Sequence, residues 1–444
     1  RNDANAAIRS VISFSALRAA EGEAGGLKIR RRPTNTPAGT GIIRRMSDAP
    51  GAPREVALNG AITRLKPYAF TQLRARQDEL ASHGTRVINF GVGDPEDDTP
   101  AFIRDALVAA ITPSSRYPTA AGIAPLREAI AAWLRRRFGV TVHPDRHVMP
   151  ANGAKEALHN LTSLVVDAPG TPGRRDLIAI PELAYQVYGD AALLHHAEVF
   201  AVPLGADWLP DLDAITPEVG RRLAILWLNS PHNPTGAVAP RDHYRRALDL
   251  ADKYGFLVAS DEAYSELWFD APPSGILEAC TDADFTGAIA INTLSKRSNM
   301  TGYRSGLIAG DARVIAAMRN VRPRIGVATP EFVQRAAIAA WNDEAHVEEQ
   351  RARYAARRDL FLDLCSRKRL QVEASQGAFY LWIRVPATVP GRDATTFAST
   401  LLDHGIVVLP GSFMGPRGNE YVRLAFVPSL ETCMEAVAIL DRVL

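Results

Sequence analysis

The 444-residue sequence predicts an α/β fold: a mostly parallel β-sheet covered by helices on both faces, with a smaller α+β domain following it. Three observations carry this reading. Short, almost wholly apolar runs alternate with helical patterns through the middle of the chain, as strands buried on both faces do. From about residue 330 the pattern changes to long helices, and then to short alternating segments. Finally, 47% hydrophobic and 23% charged residues in a chain this long are enough for a large core and a second one.

Taken in order, residues 1–50 are rich in Arg, Pro, Gly and Thr without sustained periodicity, and are expected to be a flexible extension. Met46 is the expected natural start, which N-terminal sequencing of the native protein would test. Residues 51–98 are expected to form an arm and part of the small domain, with a helix over 70–84 leading into VINFGVGDP. The large domain is expected over 99–330. It opens with two amphipathic helices, the second placing Leu126, Ile130, Trp133 and Leu134 on one face. DLIAIP, EVFAVPL, RLAILWLN, GFLVASDE and AIAINTLS then read as strands, and LIAGD adds one more. The C-terminal small domain is expected over 331–444, with FYLWIRV, GIVVLPG and YVRLAFV as its strands.

Net charge is only +2, so bulk electrostatics call for neither nucleic acid nor membrane. No stretch is apolar for long enough to span a bilayer as a helix. Cys280, Cys365 and Cys433 lie far apart, form no metal-like cluster and suit a reducing compartment, so a cytoplasmic location is expected and no metal.

In open α/β sheets, sites form outside the carboxyl ends of the strands. Polar residues recur there: Asn233 in NSPHNPTG, Asp261 and Tyr264 after GFLVAS, Lys296 after AIAINTLS, and Gly153 between a strand and a helix. Each has a plain structural reading: a Pro/Gly turn, a helix cap, packing, or a lysine reaching water. Their shared chemistry would be a Schiff base between Lys296 and the aldehyde of pyridoxal phosphate. Asp261 would then keep the ring nitrogen protonated, while Asn233 and Tyr264 would hold the phenolic oxygen. The amides at Gly153–Ala154, the hydroxyls of Thr293 and Ser295, and Arg304 would meet the phosphate.

On NSPHNPTG, SDEAYSELWF and TLSKRSNMTGYRSG, in that order and spacing, the chain resembles the fold-type I, class I/II pyridoxal-phosphate aminotransferases from about residue 56 to the C-terminus. The resemblance implies a mostly parallel seven-stranded sheet in the large domain. It also implies that Lys296 joins the cofactor and shuttles the substrate α-proton, with Asp261 at the pyridine nitrogen and Asn233 and Tyr264 at the phenolic oxygen. Arg304, Thr293 and the helix start Gly153–Ala154–Lys155 become phosphate ligands. Tyr185 is the candidate ring stacked on the cofactor, in a segment two residues longer than the usual form. Arg423 and the Gly91 amide become ligands of the substrate carboxylate. Tyr117 matches a tyrosine that reaches the neighbouring subunit's phosphate, which implies a homodimer with shared active sites.

SKRSNMTGYRSG, IAAWNDEAHV, YQVYGDAALL and GAFYLWIRVP further resemble N-succinyl-diaminopimelate aminotransferases. That resemblance implies ping-pong transfer from L-glutamate to N-succinyl-2-amino-6-oxopimelate, in lysine and diaminopimelate biosynthesis. The alternatives are LL-diaminopimelate, aspartate or alanine specificity, and a carbon–sulfur lyase on the same lysine. A non-enzymatic amino-acid sensor lacks room for a DNA-binding module in the N-terminal arm. A succinylated acceptor carries three carboxylates, so cations beyond Arg423 are expected near its far end: Lys155, Arg297, Arg322 or Arg324.

Overall fold

Alternation of side chains along each strand decides the layers. The computed structural model describes residues 56–65, 77, 79, 82, 84, 86–114 and 116–444. The expected extension over 1–50, the Met46 start and nearly all of the helix expected over 70–84 lie outside these residues.

A short strand, β1 (Ile88–Asn89), precedes the large sheet. The large sheet contains β2 (Val148–Ala151), β3 (Leu177–Pro181), β4 (Glu198–Val202), β5 (Leu223–Asn229), β6 (Leu257–Asp261), β7 (Ala288–Thr293) and β8 (Gly306–Gly310). Its seven strands lie in the order β2-β8-β7-β6-β5-β3-β4. Strands β3 to β7 run parallel to one another, whereas β8 runs antiparallel to both β2 and β7. The physical reason is the connection: between β7 and β8 the chain makes only the turns Leu294–Arg297, which carries Lys296, and Thr301–Tyr303, without the long crossover helix that usually joins parallel neighbours.

Every residue of β5, β6, β7 and β8 is buried. On β5, Ile225 and Trp227 enter one core with helices Ala154–Val165, Gln186–Leu194 and Ala312–Val321. Leu226 and Leu228 enter the opposite core, with Trp133 and Tyr244 of helices Ala124–Phe138 and Arg241–Tyr254. Both faces are therefore covered, which is why the strands read as continuous apolar runs. Helix Glu331–Asn342 follows the expected boundary at 330, yet its Ala336, Ala340 and Trp341 pack into the large-sheet core, with Trp341 4.5 Å from Trp133 between ring centroids.

The smaller sheet is antiparallel throughout, in the order β12-β13-β10-β9: β9 (Val372–Glu373), β10 (Tyr380–Arg384), β12 (Leu409–Pro410) and β13 (Tyr421–Ala425). Strand β11 (Ile406–Val407) pairs in parallel with β1, which brings Ile88 and Phe90 into the small-domain core. Helices Ala345–Arg367, Ala394–Asp403 and Leu430–Val443 cover it. No helix among the described residues is long and apolar enough to cross a membrane.

Candidate active site

Strand register gathers the polar residues. Asn229, the last residue of β5, pairs with Asp261, the last of β6, while Thr293 ends β7 and Lys296 follows in the turn Leu294–Arg297. Parallel strands of matched length thus deliver their final side chains to one edge. There they line a cavity of about 650 Å³ with Lys155, Tyr185, Asn233, Tyr264, Ser295 and Arg304. Arg423 and Tyr380 reach the same cavity from the small domain.

The Lys296 ammonium donates to the Gly93 carbonyl at 2.6 Å. Burial lowers its pKa from the ordinary lysine range to about 8, opposed by Asp94 and assisted by Arg423, Arg304 and Lys155. The amine is therefore far closer to its nucleophilic form near neutral pH than a surface lysine. Asp261 is buried and accepts from the Tyr188 hydroxyl at 2.8 Å and from the Ala263 amide at 3.2 Å. Burial pushes its carboxyl up to about 6, and the two groups that hold it down, a phenol and an amide, carry no charge. A buried carboxylate without a cation is costly, so the position suits a ligand that brings a positive charge.

Arg423 is 4% exposed and forms no ion pair with an acidic side chain among the described residues. One guanidinium nitrogen donates to Asn233 Oδ1 at 2.8 Å and the other to the Gly91 carbonyl at 2.9 Å. The Asn233 oxygen is thereby committed to the arginine, so its NH2 end is the one available to an anionic oxygen. The Tyr264 hydroxyl lies 2.8 Å from that of Tyr380.

At the other end, Gly153 sits at φ 75° before helix Ala154–Val165. A Cβ at this position would lie 2.5 Å from an Arg304 guanidinium nitrogen, so glycine permits both the left-handed turn and the close approach of the arginine. Arg304 is braced by the carbonyls of Thr301 and Asn152, at 2.9 and 3.3 Å. Thr293 caps the Lys296 turn, and its hydroxyl lies 3.0 Å from that of Ser295. A helix start, two hydroxyls and an arginine together form a donor set of the kind that suits a phosphate.

Other expected residues fall elsewhere. The Gly91 amide donates to Asn89 Oδ1 at 2.8 Å and its carbonyl faces Arg423, so it offers no donor to a carboxylate; the cavity is lined instead by Val92, Gly93 and Asp94. Arg297 is buried between Trp133 and Trp341, pairs with Glu344 at 2.8 Å and does not line the cavity. Arg322 is buried on the Pro150 carbonyl and Glu156, at 2.6 and 3.2 Å. Both guanidiniums hold elements together, which corrects the expectation of a substrate contact. Arg324 is bonded to Asn320 of its own turn. Tyr117 is fully exposed and does not line the cavity.

Sequence reasoning missed Tyr188, Tyr380 and Asn229. Tyr188 lies three residues beyond Tyr185, one helical turn on, and that spacing was the available signal. Tyr380 carried no local sign, because its hydroxyl partner Tyr264 comes from the other domain and Arg423 from a strand distant in sequence.

Pyridoxal phosphate fits this donor set: a half-buried lysine, an uncompensated buried carboxylate and a phosphate cradle converge on one cavity. The chain matches the family described as aminotransferase class I and II over residues 85–440. It is 37% identical, over 86% of its length and 97% of the relative's, to an LL-diaminopimelate aminotransferase of Dehalococcoides mccartyi. An aminotransferase structure from Neisseria meningitidis superposes with a TM-score of 0.80 at 34% identity, covering 87% of this chain and all of the other. The structure of a probable N-succinyldiaminopimelate aminotransferase from Thermus thermophilus gives 0.77 at 27% identity, over 85% of this chain and all of the other. With fold, site and relatives in agreement, the chain belongs to the class I and II aminotransferases, enzymes that work with pyridoxal phosphate.

Proposed function

We propose that this aminotransferase acts on LL-diaminopimelate, exchanging its amine with the L-glutamate/2-oxoglutarate pair, rather than on the N-succinylated compound expected from the sequence. The observation that carries the choice is the charge lining the cavity. Its cations are Lys155, Lys296, Arg304 and Arg423, and its carboxylates are Asp94 and Asp261. Once Lys296, Asp261, Arg304 and Arg423 take the roles below, Lys155 and Asp94 remain for the substrate's far end. The far end of diaminopimelate carries one carboxylate and one ammonium and matches that pair. A succinylated far end carries two carboxylates and no cation, which would set like charge against Asp94. The relative at 37% identity, named for LL-diaminopimelate, supports the same choice.

In this reading Lys296 holds the cofactor and then moves the proton at the substrate α-carbon. Asp261, oriented by Tyr188, faces the ring nitrogen, and Asn233 and Tyr264 donate to the phenolic oxygen. Tyr185 covers the ring, and Arg423 takes the α-carboxylate as a planar fork. The helix-start amides of Gly153, Ala154 and Lys155, the hydroxyls of Thr293 and Ser295 and the Arg304 guanidinium would surround the phosphate, joined by Tyr117 of a second copy in a homodimer, which leaves the Lys155 ammonium to the substrate. When bound, pyridoxal phosphate supplies an aldehyde that amines can join and a ring that withdraws electrons.

The test is kcat/KM with 2-oxoglutarate for LL-diaminopimelate, N-succinyl-LL-diaminopimelate and L-aspartate. At least about a tenfold preference for the free diamino acid is expected, and Asp94→Asn should erase most of it. Preference for the succinylated compound would return the assignment to the earlier expectation, and preference for aspartate would remove both.

A further inference from the structure

Tyr380 joins the two halves of the site. It opens β10, and Arg423 lies on the paired strand β13 opposite Trp382, so both side chains project from the same face of the small sheet. The Arg423 guanidinium lies 4.3 Å from the centre of the Tyr380 ring. The Tyr380 hydroxyl lies 2.8 Å from that of Tyr264 on the large domain. It also abuts Gly93, where a Cβ would come within 2.1 Å of it, and the Gly93 carbonyl receives the Lys296 ammonium. Tyr264, Tyr380 and Arg423 are 8%, 2% and 4% exposed, so the three groups interact away from bulk solvent.

A hydroxyl has a single proton to give. Tyr264 can donate into the cavity only when the bond between the two phenols runs from Tyr380 to Tyr264. The same ring meanwhile supports the cation that meets the substrate carboxylate, a contact strengthened by removal from water. We propose that Tyr380 is a positioning residue that sets the donor direction of Tyr264 and supports Arg423, so that cofactor and substrate carboxylate are held by one coupled unit. This rests on the roles given above to Tyr264 and Arg423.

Two substitutions separate the contributions in the holoenzyme. Tyr380→Phe keeps the ring beneath Arg423 and removes only the hydroxyl; Tyr380→Leu removes both. The readouts are the pH midpoint of the bound cofactor's visible absorbance and KM for the amino-acid substrates, with circular dichroism as a check of folding. Tyr380→Phe is expected to raise the midpoint by about 0.5–1 pH unit, because an unpolarised Tyr264 stabilises the phenolic anion less. Tyr380→Leu should in addition raise KM about tenfold. The double variant Tyr264→Phe/Tyr380→Phe should have the midpoint of Tyr264→Phe alone, since the second change acts through the first. A midpoint unmoved by Tyr380→Phe but moved by Tyr264→Phe would overturn the proposal while sparing the role of Tyr264. If neither change moves it, the underlying reading of Tyr264 fails as well. Should Tyr380→Leu not fold, Tyr380→Phe and the double variant still decide.

Discussion

Lys296 and Asp261 show the same physics with opposite consequences. Burial makes the lysine easier to deprotonate and the carboxylate harder to ionise. Lys296→Ala should abolish borohydride-trappable attachment of the cofactor and reduce turnover by at least about 10³-fold, measured by mass spectrometry and steady-state assay. For Asp261 the sign follows from linkage. Its folded-state pKa, about 6, lies above the ordinary 3.8, so the native state binds the proton more tightly. Its contribution to stability therefore falls as pH rises from about 4 to 6 and stays lowered above that. Cofactor-free Asp261→Asn should accordingly melt a few degrees higher than the cofactor-free parent at pH 8, with the gap closing near pH 4. With cofactor added the order should reverse, because only the parent gains an ion pair. An equal melting temperature at pH 8 would remove the uncompensated carboxylate from the account.

At the scale of elements, the site depends on where β5, β6 and β7 stop and on how helix Ala154–Val165 begins. The helix is amphipathic, with Ala157, Leu158 and Leu161 buried against the sheet, so packing fixes its axis and aims its first amides at the cavity. Gly153 makes that start possible. Gly153→Ala should push Arg304 aside and weaken cofactor binding about tenfold, read by fluorescence titration, with the larger part of the loss in the phosphate contribution. Pyridoxal without phosphate should discriminate little between the parent and this variant. If it discriminates equally, the lesion lies outside the cradle. The strand ends were legible in the sequence because fully buried strands need no alternation to be found and a polar residue after an apolar run marks the exit. Helix Glu331–Asn342 was harder to place: its small residues Ala336, Ala337 and Ala340 give no sign of which core they enter.

For the whole molecule, the cavity draws residues from both sheets. The small domain contributes Arg423 and Tyr380, and the stretch 92–94 lines the cavity between them. The proposed homodimer would add a further requirement: Tyr117 is fully exposed and does not line its own chain's cavity, which fits the proposed role at a second copy's phosphate. Tyr117→Ala and Lys296→Ala proteins, each impaired alone, should recover activity when unfolded together and reassembled. A heterodimer would place both lesions in one site and leave the other intact, giving about a quarter of parental turnover from a statistical mixture. No recovery would place Tyr117 within its own subunit's structure instead.

The sequence by itself determined the α/β class, the strand runs, and the residues at their ends, because those depend on local patterns of burial and on residue types with few alternative uses. Lys296, Asp261, Asn233, Tyr264 and Arg304 were all legible on that basis. The tertiary structure alone decided the antiparallel course of β8, the pairing of Tyr188 with Asp261 and of Tyr380 with Tyr264 and Arg423. It also showed that Arg297 and Arg322 serve the core. An arginine reads the same in sequence whether it meets a substrate or a glutamate of its own chain, because the difference lies in what the fold brings within hydrogen-bond reach of it.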